Sequence, residues 1–215
     1  MPLFAAPAHP SGPEDRTFTE RTIWIQGEVK DIFLTISYPK PDDIVDWTKQ
    51  GSYDASDSFP FPLTLSFEYK GHFWQGVFGT VGFQVKIKKG KADLMPWKDM
   101  DALLQGVRTH QIARNQVTKN DTSKSRQVWM EPVLSQLNGI PCIQQYVQVG
   151  SNPMGETHYY FPFEEDHALE VVILMVDNSD RPGLTNSDWR PRAEAFANRL
   201  LSTVKVSVKP KDSQK

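Results

Sequence analysis

Few residues in this sequence have the type and spacing that nucleophilic catalysis requires. The single cysteine, Cys142, lies in a predicted strand beside Ile140 and Ile143, whereas a reactive thiolate needs an adjacent cation or imidazole. No serine stands in the Gly-x-Ser-x-Gly pattern of the common α/β hydrolases. We therefore interpret Cys142 as a small buried apolar side chain and predict no catalytic residue.

Metal-ligand spacing is also missing, so we expect no metal and no cofactor. The five histidines form no pair at ligand spacing, and His110 is interpreted as a partly buried structural residue. The polar group from Glu164 to His167 lies between two predicted strands and is typical of a solvated turn. Asp177 to Asp180 begins like a calcium loop, but Arg181 occupies its fifth position and Gly183 its seventh instead of its sixth.

Glycines and lysines between residues 76 and 91 could mimic an anion-binding site. Gly76, Gly79 and Gly82 match neither the dinucleotide fingerprint nor the P-loop, so we interpret them as strand bulges or points of close backbone approach. The basic run from Lys86 to Lys91 is typical of a guarded strand edge. A patch for anionic lipid or nucleic acid stays open as an alternative.

Charge is divided unevenly along a chain of 215 residues whose net charge is only −2. Residues 1–60 carry five basic and ten acidic side chains, residues 61–130 carry eleven and five, and residues 131–215 carry eight and eleven. A near-neutral chain lacks the positive surplus of a general nucleic-acid binder. No apolar stretch approaches the roughly 18 residues of a membrane span. We expect a polarised surface suited to one specific partner, and no nucleic acid or membrane span.

The first half of the sequence predicts two strands followed by a hairpin. Residues that alternate apolar and polar predict strands at Thr22–Gln26, Ile32–Tyr38 and Leu63–Tyr69. A return strand over Phe73–Ile87 completes the hairpin with Leu63–Tyr69. Before the hairpin, Asp42–Trp47 is predicted to form one short helical turn.

The second half predicts further strands and two helices. Strands are expected over 127–149, His158–Phe163 and Ala168–Val176, and the last of these is apolar enough to be central in its sheet. A helix is predicted from Pro96 to Gln111, and an amphipathic helix from Trp189 to Val204 continues into a short final strand. The predicted fold is α+β, with one twisted antiparallel sheet and two main helices packed on it. A single domain is expected over residues 21–208, between flexible tails at 1–20 and 209–215.

The order of elements after residue 60 resembles two exported families. The segment Gly139 to Val149, then Tyr159 to Phe161, then Leu169 to Val176, and the helix entering the strand at Arg199 to Val208 carry the resemblance. The layout is similar to PsbP-like α/β/α sandwich proteins. It is also similar to immunity proteins of type VI secretion systems that neutralise phospholipase effectors in the periplasm. This resemblance implies a periplasmic location, with the cytoplasm as the alternative.

The leading hypothesis is a non-catalytic immunity protein that binds a cognate toxic effector directly. An acidic first segment would complement a basic effector surface and steer association. Aromatic and polar residues of two predicted loops would anchor the interface. The predicted partner-binding residues are Asp42, Asp43, Asp46, Tyr53, Asp54, Asp57, Phe59, Asn152, Met154 and Glu156.

Two alternatives stay open. One is a PsbP-like small-ligand or assembly protein with a pocket at the glycine-rich hairpin. The other is a hydrolase whose active site assembles from dispersed residues, with His110 or His167 as the residues to mutate. The oligomeric state is not predicted.

Overall fold

Two helices and twelve strands make up the described part of the chain. The computed structural model describes residues 12–27, 30–46, 53–54, 63–70, 77–89, 99–123, 126–150, 152–164, 167–177 and 189–211. The prediction of an α+β class is confirmed, with strand as the main component. In chain order the elements are β1 Phe18–Gln26, β2 Lys30–Pro39, β3 Asp43–Asp46, β4 Tyr53–Asp54, β5 Leu63–Lys70, β6 Val77–Lys89, α1 Met100–Val117, β7 Gln127–Trp129, β8 Val133–Leu137, β9 Ile140–Val149, β10 Asn152–Glu164, β11 His167–Asp177, α2 Trp189–Ser202 and β12 Lys205–Pro210.

The strands form two sheets, whereas the sequence predicted one. The small sheet has the order β12-β2-β1-β4, and the large sheet has the order β3-β5-β6-β11-β10-β9-β7, with β8 also paired to β9. β4 joins β1 in parallel, and the other described pairs are antiparallel. The single-sheet prediction was wrong because β12, from the end of the chain, pairs with β2 near its start. Local periodicity carries no information about such a distant pairing.

One apolar cluster contains residues of both sheets and of α2. Its members include Ile25 and Leu34 from the small sheet, Phe83 and Leu169 from the large sheet, and Phe196 from α2. These side chains are almost completely buried. Because successive side chains in a strand point to opposite faces, the large sheet presents one face to this cluster and has a second face to cover.

The second face of the large sheet carries a separate apolar cluster with α1. Leu103 and Val107 of α1 join Ile143 of β9, Tyr160 of β10 and Ala168 of β11. The neighbours of these strand residues in sequence belong to the first cluster, as the two-residue period requires. We call this second face the α1 face.

β11 has the central place that its apolar sequence predicted. It lies between β6 and β10, and its residues from His167 to Ile173 are all buried. A strand covered on both faces can carry a continuous apolar run. The one charged residue within that buried run, Glu170, therefore needs a compensating partner.

α2 buries one face as its amphipathic sequence predicted, whereas α1 buries Ala102, Leu103, Gly106 and Val107. In α1, Asp99 is the N-cap, and its carboxylate accepts a hydrogen bond from the Ala102 amide at 2.8 Å. α1 begins at Met100, four residues after the predicted start at Pro96, which lies outside the described residues. The buried stripe of α2 consists of Trp189, Ala193, Phe196, Ala197, Leu200 and Leu201.

Three local predictions differ from the structure. The predicted helical turn at Asp42–Trp47 was wrong, because residues Asp43–Asp46 form β3 and pair with Leu63–Ser66 of β5. The predicted tail over residues 1–20 is shorter at its C-terminal end. Pro13–Asp15 forms a 3-10 turn and β1 begins at Phe18, whose ring contacts that of Phe196 at a centroid distance of 6.1 Å. At the other terminus, β12 extends to Pro210, past the predicted boundary at 208.

Gly79 of β6 is a point of close approach, and we predict that Gly79→Ala destabilises the fold. A Cβ at Gly79 would overlap the ring of Trp189, which is 3% exposed and leaves that ring little room to move. Overpacking of this kind costs about 2 to 3 kcal/mol of unfolding free energy, measurable by urea denaturation.

Gly139→Ala is the comparison variant. A Cβ there meets no atom within 4 Å, but the backbone has φ +81°, so only left-handed strain of about 1 kcal/mol is expected. A smaller loss for Gly79→Ala than for Gly139→Ala would contradict the prediction.

Candidate functional site

Among the predicted partner-binding residues, Asp42 has an internal structural role. Its side chain is 15% exposed. It accepts a hydrogen bond from the Glu68 amide at 2.9 Å, and it pairs with Arg16 at 3.3 Å and Lys70 at 3.4 Å. Burial opposes its charge, but these donors outweigh burial and lower the pKa of Asp42. Asp42 therefore ties the start of β3 to β5.

The other predicted contacts lie on edge strands, in a hairpin or outside the described residues. Asp43 is exposed on β3, the edge strand of the large sheet. Asp46 shares β3 with it, Tyr53 and Asp54 form β4 at the edge of the small sheet, and Asn152 and Met154 belong to β10. Asp57 and Phe59 lie outside the described residues.

Strand register places Asp43 and Glu156 in one row of the large sheet. Asp43 is paired with Ser66, Ser66 with Gly82, Gly82 with Leu174, and Leu174 with Glu156. Because these positions alternate with members of the first apolar cluster, the row lies on the α1 face. Four strand spacings of about 4.8 Å put the two carboxylates roughly 19 Å apart.

The most unusual chemistry of the α1 face is a histidine held between two carboxylates. His158 Nδ1 lies 2.7 Å from Glu170 Oε1, and His158 Nε2 lies 3.0 Å from Glu156 Oε2. The side chain of His158 is 3% exposed and that of Glu170 is fully buried, while Glu156 is 23% exposed. We call these three residues the His158 triad.

The triad favours the charged imidazolium of His158. Burial alone would lower the pKa of His158, but the hydrogen bonds to Glu156 and Glu170 outweigh burial and raise it. Burial also opposes ionisation of Glu170, yet the bond to His158 and the positive charge of Lys88, whose Nζ lies 3.7 Å from Oε2, lower its pKa. Each carboxylate therefore accepts a hydrogen bond from one protonated nitrogen of the imidazolium ring.

Lysine and tyrosine side chains complete the polar surroundings of Glu170. Lys86 is paired with Glu170 across β6 and β11, and burial lowers the pKa of Lys86. Tyr160 is paired with Glu170 on the other side, and its hydroxyl donates to Gln145 Oε1 at 3.3 Å. Burial raises the pKa of Tyr160 well above its usual value, so this phenol stays protonated.

α1 covers the triad and is hydrogen-bonded to the backbone of the edge strand β7. Asn115 Nδ2 donates to the Trp129 carbonyl at 2.7 Å, and the Trp129 amide donates to Asn115 Oδ1 at 2.9 Å. Gln111 donates to the same carbonyl at 3.1 Å. The indole of Trp129 then lies against His158 at a centroid distance of 5.3 Å and against His110 at 5.5 Å.

This geometry is suited to structure and not to proton transfer. A general base needs an accessible lone pair, but both nitrogens of His158 are engaged by carboxylates. His110 is also engaged, because its Nε2 accepts from Arg114 Nε at 3.2 Å. Burial, assisted by the positive charges of Lys88 and Arg114, lowers the pKa of His110 to about 4. His110 is therefore neutral at physiological pH.

A cavity of about 620 Å³ lies between the 3-10 turn and α2. Its charged residues are already paired: Arg192 contacts Glu14 at 2.5 Å and Asp15 at 3.7 Å. Arg199 donates to the Glu14 carbonyl at 3.3 Å and lies over the Phe18 ring at 3.8 Å. These contacts fasten the start of the chain to α2.

The described ranges contain neither a cluster of metal ligands nor a helix that could span a membrane. Within them, no group of three or more His, Cys, Asp or Glu side chains is placed to hold a metal ion. Neither α1 nor α2 has the length and apolar character that a bilayer crossing requires.

The sequence contained a signal for the triad that the histidine spacing did not reveal. Glu156, His158 and Tyr160 share one face of β10 by the two-residue period. Glu170 is a lone charge in the otherwise apolar run from Ala168 to Val176. A buried strand of that kind tolerates a charge only with a partner, and the neighbouring strand carries the histidine.

Comparison with known proteins assigns this chain to no family. No protein-family model matches the chain, and no curated protein is significantly similar to it.

We predict that the two carboxylates of the triad differ in their contribution to stability. Glu170→Gln removes a fully buried partner from His158 and Lys88, and loss of one member of a buried pair costs about 3 to 5 kcal/mol. Glu156→Gln alters a partly exposed pair, for which about 1 kcal/mol is expected. Chemical denaturation of both variants at pH 6 measures the difference. Equal losses would contradict a central role for Glu170.

The raised pKa of His158 predicts a stability that falls as pH rises above about 6.5, the unfolded value of histidine. Below that pH both states hold the proton and the contribution is complete. Above it the unfolded chain releases its proton first, so the free energy of unfolding declines by up to about 1.4 kcal/mol per pH unit until folded His158 deprotonates.

The comparison is with His158→Gln, measured by denaturant unfolding between pH 6 and 9. His110 contributes with the opposite sign near pH 6 to 7, because its folded pKa of about 4 lies below the unfolded value of about 6.5, and this contribution is present in both proteins. We expect the decline to be absent in His158→Gln. The same decline in both proteins would assign it to other groups.

Proposed function

We propose that this protein is a non-catalytic binding protein that neutralises a toxic effector by direct contact, in the manner of an exported immunity protein. The partner is proposed to be a phospholipase-type effector of a type VI secretion system, and the site of action the periplasm. The observation that carries the proposal is the common row of Asp43 and Glu156 on the α1 face. Two sequence segments chosen as contacts are thereby brought to the same end of the large sheet.

The surroundings of this row support a protein contact. Glu68 is paired with Thr80, and Thr80 with Val176, in the next row along the same face. Val176 is 39% exposed. Val176 would supply an apolar contact near the carboxylates of Asp43 and Glu156, an arrangement in which the apolar residue adds affinity and the charges steer the approach. A basic effector surface would complement it.

The state of the His158 triad supports a binding role over a catalytic one. Both ring nitrogens of His158 are engaged by carboxylates, and the ring is buried against Trp129, so the triad stiffens the sheet that presents Asp43 and Glu156. A preorganised surface loses less entropy on binding. We also propose that both sheets and both helices form a single domain, which is supported by the apolar cluster that contains residues of both sheets and α2.

The proposal predicts a charge-dependent complex with an effector encoded beside the gene of this protein. Asp43→Lys places a positive charge in the proposed contact, and we expect the association rate to fall about tenfold or more at low salt. The rate is measured by surface-immobilised binding of the purified effector. Glu194→Lys is the matched control, because Glu194 is exposed on α2 and the charge change is the same.

Neutralisation itself is tested by the phospholipase activity of that effector on lipid vesicles. An equimolar amount of the protein is expected to abolish the activity, and the Asp43→Lys variant is expected to be less effective at equal concentration. Full phospholipase activity in the presence of excess protein would overturn the proposal. Equal loss of binding in Asp43→Lys and Glu194→Lys would remove the acidic row from the interface.

A further inference from the structure

The edges of the two sheets are protected in different ways. Charged residues stand on two of the edge strands: β3 carries Asp43 and Asp46, and β12 carries Lys205 and Lys209. β4 is only two residues long. At β7, the side chain of Asn115 occupies the outer amide and carbonyl of Trp129. Charge, shortness and coverage are the usual means by which proteins prevent edge-to-edge pairing.

β8 lacks these protections. Its sequence, Val-Leu-Ser-Gln-Leu from Val133 to Leu137, contains no charged residue. Among the described strands it pairs with β9 alone. Val133 is 52% exposed and Leu134 is 59% exposed, and the neighbouring Met130 is 47% exposed. An uncharged edge with apolar side chains on both faces is a template for another strand.

The alternation of β8 shows which side chains an added strand would meet. Leu134 is paired with Ile143 and therefore lies on the α1 face. Val133 and Leu137 lie on the opposite face, where Leu137 belongs to the first apolar cluster. Both faces of the edge thus offer apolar area, and the outer backbone groups of β8 offer hydrogen bonds to an extended chain.

We propose that β8 pairs with β8 of a second copy of this protein, so that the two large sheets join into one continuous sheet. A twofold axis at Ser135 sets each Val133 opposite Leu137 of the second copy. It sets each Leu134 opposite Gln136, and Ser135 opposite itself. Every apolar residue of one edge then meets an uncharged residue of the other, and no like charges face each other.

The symmetry of this contact selects a second copy over an unrelated strand. A twofold interface needs a surface that is complementary to itself, and an uncharged five-residue strand with apolar residues near both ends meets that need. Five residues offer less area than the roughly 1,600 Å² of a standard stable interface. We therefore expect a reversible dimer, with a dissociation constant in about the micromolar range. Asp43 on β3 lies at the opposite edge of the large sheet from β8 and stays available in the dimer.

The oligomeric state of the full chain is the first test. Sedimentation velocity over protein concentrations of about 5 to 500 µM brackets the affinity expected for a small interface. The wild-type protein is expected to shift from monomer to dimer. Leu134→Lys adds the missing edge charge at an exposed position and is expected to remain monomeric. Val117→Lys is the matched control, because Val117 is 83% exposed on α1, and it is expected to dimerise like the wild type.

The register is tested by cysteine cross-linking. Ser135→Cys places two thiols directly opposite each other, about 4.5 to 5.5 Å apart at Cβ, within reach of a disulfide after a small shift. Native Cys142 is paired with Ser135, so the variant is made in a Cys142→Ala background. Val133→Cys in the same background is the control, since its symmetry mates lie roughly 13 Å apart.

Each outcome decides the proposal. A concentration-dependent dimer that Leu134→Lys abolishes, together with a disulfide dimer from Ser135→Cys only, supports it. A wild-type protein that is monomeric at every concentration overturns it, as does a dimer that Leu134→Lys leaves intact. Cross-linking through Val133→Cys but not Ser135→Cys would overturn the register. Circular dichroism of Leu134→Lys excludes unfolding as the cause of a monomer.

Discussion

The structure depends on the compensation of one buried carboxylate. Glu170 stands in the middle of β11, the central strand of the large sheet, and its side chain is fully buried. A carboxylate in that position is costly unless a positive partner lies beside it. His158 from β10, Lys88 from β6 and the indole of Trp129 under α1 are all arranged around this requirement. β6, β10 and β11 are therefore held together by electrostatics as well as by apolar contact.

This arrangement also explains why a polar cluster in the core need not be an active site. Perturbed pKa values often mark catalytic groups, but general acid or base catalysis needs a group whose proton or lone pair is accessible to a substrate. In the triad, each polar atom of His158 is already matched by a carboxylate. The shifts in pKa express mutual stabilisation of opposite charges. Function is better sought at surfaces that the triad makes rigid.

Much of the fold could be predicted from sequence, because the patterns involved are local. Alternation located β5 and β6, helical spacing located α2, and an apolar run identified β11 as central. Three features escaped for a shared reason. The sequence predicts a helical turn where β3 lies, gives no partner for β12, and predicts one sheet where the structure has two. Each depends on pairing between distant segments, which no local period encodes. The triad escaped in the same way, since Glu170 and His158 meet only after β10 and β11 align, although the isolated charge in β11 was visible.

Through Asn115, α1 makes the two hydrogen bonds to the Trp129 backbone that a neighbouring strand would otherwise make. The amide of Asn115 presents a donor and an acceptor to the Trp129 backbone, as a neighbouring strand would. The Trp129 amide is consequently shielded from solvent exchange only while α1 stays docked. Local opening of the helix and fraying of this sheet edge are thus one event, and the exchange rate of a single backbone amide reports on the cover of the charged core.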